Sequence, residues 1–354
     1  MNMKNNNLVI MAGGVGSRFW PMSTPECPKQ FIDVLGCGRT FIQLTFDRFK
    51  GIVEPENVWV VTSAKYADIV KEQLPEVPVE NILLEPCRRN TAPCIAYVSW
   101  RIKAKNPKAN LVITPSDHIV MNTDEFKRVI SSALSFTAET DAIVTLGMTP
   151  TRPETGYGYI QADLSTASLR NSSVFRVDSF REKPDLQTAQ EYIKKKEYFW
   201  NSGIFVWSVK TIVNALRVYQ PNLAEIFEGL LPVYGTDKEQ EAIDKYFPGC
   251  ENISIDYAVM EKAEEIFVMP ADFGWSDLGT WGSLHTLAEK DDNDNAIIGN
   301  EVKLYETKNC IIHTSEERKV VVQGLDGYIV AEKDDTLLIC KLSEEQRIKD
   351  FSAK

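Results

Sequence analysis

The chain has 354 residues, enough for one large domain and a smaller one, and its hydrophobic content of 44% and charged content of 25% are ordinary for a soluble globular protein. Its formal net charge of −11 disfavours nucleic acid and anionic membranes as partners, and no apolar run is long enough to suggest a membrane span or a signal peptide. The seven cysteines contain no Cys-x-x-Cys pair, which argues against a zinc site or a disulfide framework and favours a reducing, cytoplasmic location.

The first predicted element is a buried strand over Leu8–Met11, and a glycine-rich turn follows it at residues 12–18. Glycines let the backbone bring N–H groups close to a ligand, and a phosphate chain best matches such a turn at the carboxyl end of a strand. Arg18 lies in this turn, and Lys29 adds a second positive charge soon after it. In an acidic protein, these two cations beside a glycine turn favour a triphosphate site over two solvated surface charges.

Other interpretations of this turn compete with a triphosphate site. A Walker P-loop is excluded, because no Gly-Lys-Ser/Thr follows the glycines. The turn is a poor dinucleotide fingerprint, because the third glycine is missing and Pro21 opposes a long helix at this point. An ordinary tight turn remains open when the glycines are considered alone.

Up to about Met148 the predicted strands and helices alternate. Strands are predicted at residues 58–62, 82–85, 111–114 and 142–148, and helices at residues 41–50, 66–74, 93–105 and from Asn122 to about 139. Thr91 is the expected cap of the third helix, and Asn122 with Glu125 resembles a capping box for the fourth. This order predicts a parallel, doubly wound α/β sheet, which binds ligands at the carboxyl ends of its strands. We therefore expect residues 13–18, residues 88–90 and Asp117 along one edge.

The order of elements loosens after residue 154. Strands are predicted at residues 157–160 and 174–180, and helices at residues 186–195, 210–219 and 238–247. Beyond a polar break at residues 291–295, five short strands are predicted at residues 302–305, 310–313, 320–323, 328–331 and 336–340. The prediction is a domain at residues 1–288 and a small all-β domain at residues 289–354.

Several segments together resemble the sugar-nucleotide pyrophosphorylases, and most closely the mannose-1-phosphate guanylyltransferases. They are GGxGxRxWPxS from Gly13, PKQF from Pro28, EPxxRNTAP from Glu85 and FxEKP from Phe180. The resemblance covers at least residues 8–284. It implies a Rossmann-like mixed α/β sheet of the GT-A-like nucleotidyltransferase type, with a small β-helix-like domain after it.

The resemblance also implies a nucleotide site. Arg18 and Lys29 would hold the phosphates of GTP and act in catalysis, and Asn90 would line the guanine pocket, although a helix cap in a loop is the simpler reading of this segment. The remaining nucleotide-binding residues it implies are Ala12, Gly13, Gly14, Gly16 and Ser116. Asp117 and Asp277 would hold a catalytic Mg²⁺, which prefers carboxylate and phosphate oxygens.

A sugar-phosphate site is implied by the same resemblance. Lys183 would bind the phosphate of the sugar 1-phosphate, and Glu182 would take sugar hydroxyls. The other implied sugar contacts are Gly158, Asn201 and, more weakly, Asp256, which could simply be a helix cap. Without the resemblance, Lys183 would be a surface lysine.

The implied reaction joins mannose 1-phosphate to GTP and gives GDP-mannose and pyrophosphate. The sugar phosphate is already anionic near neutral pH. Catalysis is therefore expected to come from positioning of the substrates and neutralisation of their charge, without a protein nucleophile. The alternatives left open are another hexose 1-phosphate, another nucleoside triphosphate, or a non-catalytic sensor of nucleotide sugars. A homodimer contact is expected in the β region, and isomerase activity is not, because the chain has only three histidines.

Overall fold

A computed structural model of the chain describes residues 3–14, 16–168, 171–315 and 318–352. The strands are β1 (Asn6–Ala12), β2 (Val58–Ser63), β3 (Ile82–Glu85), β4 (Asn110–Pro115), β5 (Ile119–Val120), β6 (Ile143–Met148), β7 (Tyr159–Asp163), β8 (Phe175–Arg181), β9 (Tyr198–Ser208), β10 (Ile266–Ala271), β11 (Trp275–Ser276), β12 (Ala296–Ile298), β13 (Glu301–Tyr305), β14 (Ile311–His313), β15 (Lys319–Gln323), β16 (Tyr328–Lys333) and β17 (Thr336–Lys341). The α-helices are α1 (Phe41–Arg48), α2 (Ala67–Gln73), α3 (Thr91–Lys105), α4 (Thr123–Ala138), α5 (Leu186–Tyr192), α6 (Val209–Tyr219), α7 (Pro221–Gly229), α8 (Glu239–Tyr246), α9 (Trp281–Leu287) and α10 (Ile348–Phe351). In the described ranges no helix combines the length and apolar character needed to cross a bilayer.

The chain divides into two compact units that interleave along the sequence. The first unit contains residues 1–13, 46–116 and 120–275, and the second contains residues 14–45, 117–119 and 276–354. These interleaved units divide the chain differently from the two consecutive domains that the sequence predicts. They do not test the domain boundary predicted at residue 288, which stays a prediction.

The first unit is built on a nine-stranded sheet with the order β3-β2-β1-β4-β9-β6-β10-β8-β7. Strands β3, β2, β1 and β4 are parallel, as their near-continuous apolar sequences predict. The mixed character arises at β9, which was not predicted and lies antiparallel between β4 and β6. The antiparallel strand β9 therefore interrupts the series of parallel strands between β4 and β6.

The register of the parallel strands brings their carboxyl ends to one edge of the sheet. Ala12 pairs with Thr62, and Ser63 pairs with Glu85. Met11 pairs with Pro115 on the other side of β1. Within the first unit, Gly13, Glu85 and Ser116 therefore follow or end strands that finish at the same edge.

The caps of two helices were predicted, with different outcomes. Asn122 caps α4 by accepting a hydrogen bond from the N–H of Glu125 at 3.0 Å, so that prediction is confirmed. The prediction that Thr91 caps α3 is wrong, because the Oδ1 of Asn90 accepts from the N–H of Thr91 at 2.9 Å. The hydroxyl of Thr91 instead accepts from the N–H of Ile255 at 2.8 Å and ties the start of α3 to a distant segment.

The second unit contains short β-strands that pair in parallel. Ile311 of β14 pairs with Ile329 of β16, and β13 pairs in parallel with β15. One apolar cluster joins the strand residues Ile311 and Ile329 to Phe19 and Trp281, and another joins Ile312 and Val330 to β13. The five strands predicted after residue 300 are all present, and β17 closes the sheet by pairing antiparallel with β16.

Candidate active site

The second unit brings together four of the residues that the sequence singles out. Arg18, Lys29, Asp117 and Asp277 line one cleft of about 270 Å³, and we call them the lysine–aspartate cluster. They come from three separate stretches of sequence, so packing rather than local pattern joins them.

Lys29 is at the centre of this cluster. Its ammonium lies 2.8 Å from the carbonyl oxygen of Asp117, 3.2 Å from the Oδ2 of Asp117 and 2.6 Å from the carbonyl oxygen of Asp277. It also lies over the rings of Phe19 and Phe41, at 5.8 Å and 4.9 Å from their centroids. An ammonium has three N–H donors, so these three contacts use all of them. Lys29 therefore holds two segments of chain in place, and a phosphate could bind to it only in exchange for one of these contacts.

Asp117 is kept ionised by its surroundings. Burial by itself would raise its pKa, but the ammonium of Lys29 and the nearby His118 outweigh burial and lower the pKa of Asp117 below its usual value. The Nε2 of His118 lies 3.8 Å from the Oδ1 of Asp117. His118 thus lies beside this carboxylate and helps to keep it ionised.

The donor set of the cluster fits a magnesium ion that is completed by substrate. No group of three or more histidine, cysteine or acidic side chains in the described residues could form a protein-only metal site. Mg²⁺ is commonly held by one or two carboxylates together with substrate phosphates. The Oδ2 of Asp117 contacts the ammonium of Lys29, and Asp277 lines the same cleft. Two carboxylates without a third ligand match that mode of binding.

The packing around the first turn requires glycine at some of its positions and not at others. Gly16 has a φ of +56°, and a Cβ there would clash with the side chain of Lys29. A Cβ on Gly14 would meet nothing within 4 Å, and one on Gly13 would meet only the Oε2 of Glu85 at 3.7 Å. Gly16 is therefore required by the packing of Lys29, whereas Gly13 and Gly14 leave space that the described chain does not fill.

The first unit brings together the five residues predicted to bind the sugar phosphate. We call Gly158, Glu182, Lys183, Asn201 and Asp256 the carboxylate–amide cluster. The ammonium of Lys183 lies 2.8 Å from the Oε1 of Glu182, and the amide of Asn201 donates to the Oδ1 of Asp256 at 3.0 Å. A Cβ on Gly158 would lie 2.6 Å from the Oε2 of Glu182, so glycine is required for this carboxylate to sit there. The binding roles of these residues stay a prediction.

The surroundings of Asp256 in this cluster raise its pKa. Burial and, after it, the negative charge of Glu182 raise the pKa of Asp256 to about 6. Lys183 has a raised pKa, chiefly because of its hydrogen bond to Glu182. Lys183 lies two residues after the end of β8, and its backbone φ of +46° is uncommon outside glycine. The cluster is therefore a strained, charged constellation of the kind found at binding sites.

The remaining predicted nucleotide residues have partners within the protein. The Oδ1 of Asn90 is used in capping α3, which leaves its NH₂ group as the part able to read a base. Ala12 is fully buried and its carbonyl accepts from the hydroxyl of Thr62 at 2.9 Å, while Ser116 is also buried. Tyr159 and Trp207 are core residues.

Glu85 is a candidate that the sequence analysis did not single out. It ends β3, and its Oε1 is buried and accepts no hydrogen bond in the described part of the chain. Burial raises the pKa of Glu85 to about 7, with a hydrogen bond from Cys94 and the charge of Arg88 opposing this. The available signal was an acidic residue at the end of an apolar strand. An unsatisfied buried acceptor of this kind is costly, and a ligand donor would relieve that cost.

Residues 7–294 match the protein family described as nucleotidyl transferase. This chain belongs to that family. It is 37% identical to a mannose-1-phosphate guanylyltransferase of Escherichia coli over 348 residues, which are 97% of this chain and 74% of that relative. It is 36% identical to the mannose-1-phosphate guanylyltransferase of Salmonella montevideo over 351 residues, which are 98% of this chain and 73% of that relative.

A solved structure resembles this nucleotidyl transferase along its whole length. The crystal structure of a mannose-1-phosphate geranyltransferase from Thermus thermophilus matches it with a TM-score of 0.87 and 30% sequence identity, covering 98% of each chain. The mixed α/β fold expected from the resemblance of motifs is thereby confirmed.

Proposed function

We propose that this nucleotidyl transferase transfers GMP from GTP to mannose 1-phosphate and releases GDP-mannose and pyrophosphate. The observation that carries the proposal is the match, over nearly the whole chain, to relatives that are mannose-1-phosphate guanylyltransferases. The two clusters described above support it, because one offers carboxylates and cations for a triphosphate and the other a cation and hydroxyl-binding groups for a sugar phosphate.

In the proposed reaction an oxygen of the sugar phosphate attacks the α-phosphorus of GTP, and pyrophosphate leaves on the opposite side. The attacking oxygen is already anionic near neutral pH, so no protein base or nucleophile is needed. Asp117 and Asp277 would hold Mg²⁺, which when bound neutralises phosphate charge and aligns the triphosphate. Arg18, whose side chain is exposed in the cleft, would bind the departing phosphates.

The two lysines have different parts in this proposal. Lys29 keeps Asp117 and Asp277 in place and reaches the triphosphate only if one of its present contacts is released. Lys183 has most of its side chain exposed and would bind the phosphate of the sugar. Glu182, Asp256 and Asn201 would accept or donate hydrogen bonds to sugar hydroxyls.

Glu85 supports guanine as the base. The Watson–Crick edge of guanine presents two neighbouring N–H donors, and an ionised carboxylate accepts both. The adjacent Gly13 leaves open space, so a base can approach without meeting a side chain. Adenine presents an acceptor at the corresponding ring nitrogen and would leave the buried carboxylate unsatisfied, at a cost that makes such sites selective.

The central experiment measures pyrophosphate release from every pairing of a nucleoside triphosphate with a hexose 1-phosphate. GTP with mannose 1-phosphate should give the highest kcat/KM. A higher value for another pair would replace the proposed substrates, and ligand binding without pyrophosphate release would indicate a sensor of nucleotide sugars.

The role of Glu85 has its own pH-dependent test. Its carboxylate must be ionised to accept from guanine, so the KM for GTP should fall as the pH rises through about 7. In Glu85→Gln the preference for GTP over ATP should fall at least about 10-fold and the dependence of the KM ratio for GTP and ATP on pH should vanish. Using the ratio cancels the titration of the triphosphate itself, and an unchanged ratio in the variant would remove Glu85 from the base site.

The remaining parts of the proposal concern the wider protein. We also propose a small, β-helix-like carboxyl-terminal domain and a GT-A-like fold for the catalytic part. The protein is further proposed to be a cytoplasmic homodimer without nucleic acid or membrane partners. Backbone contacts of Ala12, Gly13, Gly14, Gly16 and Ser116, and the NH₂ group of Asn90, complete the proposed nucleotide site.

A further inference from the structure

A shift in strand register lies beside the carboxylate–amide cluster. Thr145 of β6 pairs with Phe205 of β9. Two residues further along β6, Gly147 pairs with Asn201, so β9 carries two extra residues at this point. Gly203 within this segment has a φ of +70°, a conformation that favours glycine. Irregularities of this kind redirect side chains and are frequent next to active sites, and this one brings the N–H of Gly203 to the side chain of Asn201.

The amide of Asn201 has three partners. Its Oδ1 accepts from the N–H of Gly203 at 3.2 Å and from the hydroxyl of Thr145 at 3.0 Å. The other acceptor near this hydroxyl, the carbonyl of Ile204, is farther away at 3.4 Å. The NH₂ group of Asn201 donates to the Oδ1 of Asp256 at 3.0 Å. A flipped amide would set its NH₂ group against a backbone N–H and its oxygen against a carboxylate, so these partners fix its orientation.

Counting hydrogen bonds shows what this amide leaves for a ligand. An amide oxygen accepts two hydrogen bonds, and an NH₂ group donates two. Both positions on the oxygen of Asn201 are used, and one N–H of its NH₂ group has no acceptor among the described residues. The second carboxylate oxygen of Asp256 accepts from no other side chain in the described part of the chain. Asn201 and Asp256 therefore present one donor and one acceptor side by side.

Burial separates Thr145 from the two side chains that a ligand can touch. Thr145 is fully buried, whereas Asn201 and Asp256 are partly exposed. The exposed pair lies beside the rest of the cluster, because a Cβ on Gly158 would lie 3.4 Å from the Cβ of Asn201 and 2.6 Å from the Oε2 of Glu182. A ligand in this cluster can therefore contact the amide and the carboxylate, but not the hydroxyl of Thr145.

We propose that Thr145 is a positioning residue for sugar recognition, and that the pair it supports reads a single hydroxyl of the sugar. The oxygen of a hydroxyl can accept from the N–H of Asn201 while its hydrogen is donated to the carboxylate of Asp256. This inference rests on the proposed function, in which both residues bind the sugar of a sugar 1-phosphate. A sugar without that hydroxyl leaves a donor and a charged acceptor without partners, which makes such a site strongly selective.

Sugar 1-phosphates that lack one hydroxyl test this inference. The monodeoxy derivatives of mannose 1-phosphate are compared with the parent sugar by pyrophosphate release at saturating GTP. In the wild type, loss of the hydroxyl that the pair reads should lower kcat/KM at least about 10-fold. In Thr145→Val the penalty for that derivative alone should fall below about 3-fold, because the amide of Asn201 is no longer held. Thr145→Ser keeps the hydroxyl and should keep the penalty.

Two further variants separate positioning from a general loss of packing. Thr137→Val removes another buried hydroxyl, which donates to the Oδ1 of Asn110 at 2.9 Å at the amino end of β4, and should leave every penalty unchanged. Adding Thr145→Val to Asn201→Ala should change kcat/KM by less than about 2-fold, because no amide remains to be positioned. Circular dichroism checks the folding of each variant. If Thr145→Val is unfolded, Thr145→Cys, whose thiol is a weaker donor, should give an intermediate penalty.

The outcomes distinguish the role of Thr145 from the identity of the substrate. Penalties that are the same in Thr145→Val and in the wild type for every derivative would overturn the role of Thr145, as would a full penalty in Thr145→Cys where Thr145→Val is unfolded. A wild type that prefers another hexose 1-phosphate would overturn the proposed function instead. The monodeoxy derivatives of that preferred sugar would then decide the role of Thr145 by the same comparison.

Discussion

Two lysines that the sequence places in the same role, that of binding phosphate, have opposite surroundings. In the second unit Lys29 is buried, its three N–H donors are used by Asp117 and Asp277, and it lies over two aromatic rings. In the first unit Lys183 leaves most of its side chain exposed and has Glu182 as an ion-pair partner. A lysine in a phosphate-binding motif can therefore bind the ligand directly, or it can hold in place the groups that bind the ligand. Burial and the number of occupied donors distinguish the two cases.

The largest effect should come from the carboxylates that Lys29 holds. Asp117→Asn or Asp277→Asn should lower kcat at least about 100-fold, because an amide is a poor ligand for Mg²⁺ and the triphosphate then loses charge neutralisation. Pyrophosphate release measures the rate, and Mn²⁺ binding followed by electron paramagnetic resonance measures the metal directly. Asp292→Asn, in an exposed loop of the second unit, is the matched control. Near-normal turnover and metal binding would remove this metal assignment.

Removing the ammonium of Lys29 should affect folding as well as activity. Lys29→Met leaves a carboxylate and two carbonyls without their donor, so the free energy of unfolding should fall by about 1–3 kcal/mol. Lys183→Met breaks one exposed ion pair and should change it by less than about 0.5 kcal/mol. Urea denaturation monitored by tryptophan fluorescence compares the two variants. Equal losses would mean that burial does not separate the two lysines.

Lys183 should affect one substrate. Lys183→Ala should raise the KM for mannose 1-phosphate about 10-fold, the loss expected for one hydrogen bond between charged groups, and leave the KM for GTP unchanged. Lys194→Ala removes an exposed lysine nearby in sequence and serves as the control. An effect on GTP alone would instead assign Lys183 to the nucleotide.

The smallest effect should appear in the pH dependence of stability. The pKa of Asp256 is raised to about 6, so its neutral form is favoured in the folded protein, and the stability it contributes is present at low pH and lost as the pH rises through 6. Asp256→Asn keeps the acceptor for Asn201 and cannot ionise. It should therefore be more stable than the wild type by about 1 kcal/mol at pH 7.5, a modest value because Asp256 is partly exposed.

The stability gain of Asp256→Asn should shrink as the pH falls below 6 and be nearly absent at about pH 3.5, below the ordinary pKa of 3.8, where the wild-type carboxyl is largely neutral in both the folded and the unfolded chain. Urea midpoints measured at both pH values provide the comparison. A gain that is the same at both would show that the titration of Asp256 is not its source.

The amino-acid sequence by itself determined the local elements and the residues worth examining. Apolar runs predicted β1 to β4 and β6 within one or two residues at each end, and β13 to β17 equally well, because consecutive side chains show whether a strand is buried; β12 was not predicted. Asn122 was recognised as a cap for the same reason, since its partner lies three residues away. The family resemblance also implied all the members of both clusters.

Only the tertiary structure decided what depends on contacts between distant segments. It placed β9 antiparallel between β4 and β6, gave the donors of Lys29 to Asp117 and to Asp277, and left one oxygen of Glu85 without a partner in the described chain. It also made Asn90 rather than Thr91 the cap of α3, because the hydroxyl of Thr91 is used by Ile255. Local patterns fix which side chains are buried, but the partner that a buried polar group finds is set by packing, to which residues far apart in the chain contribute together.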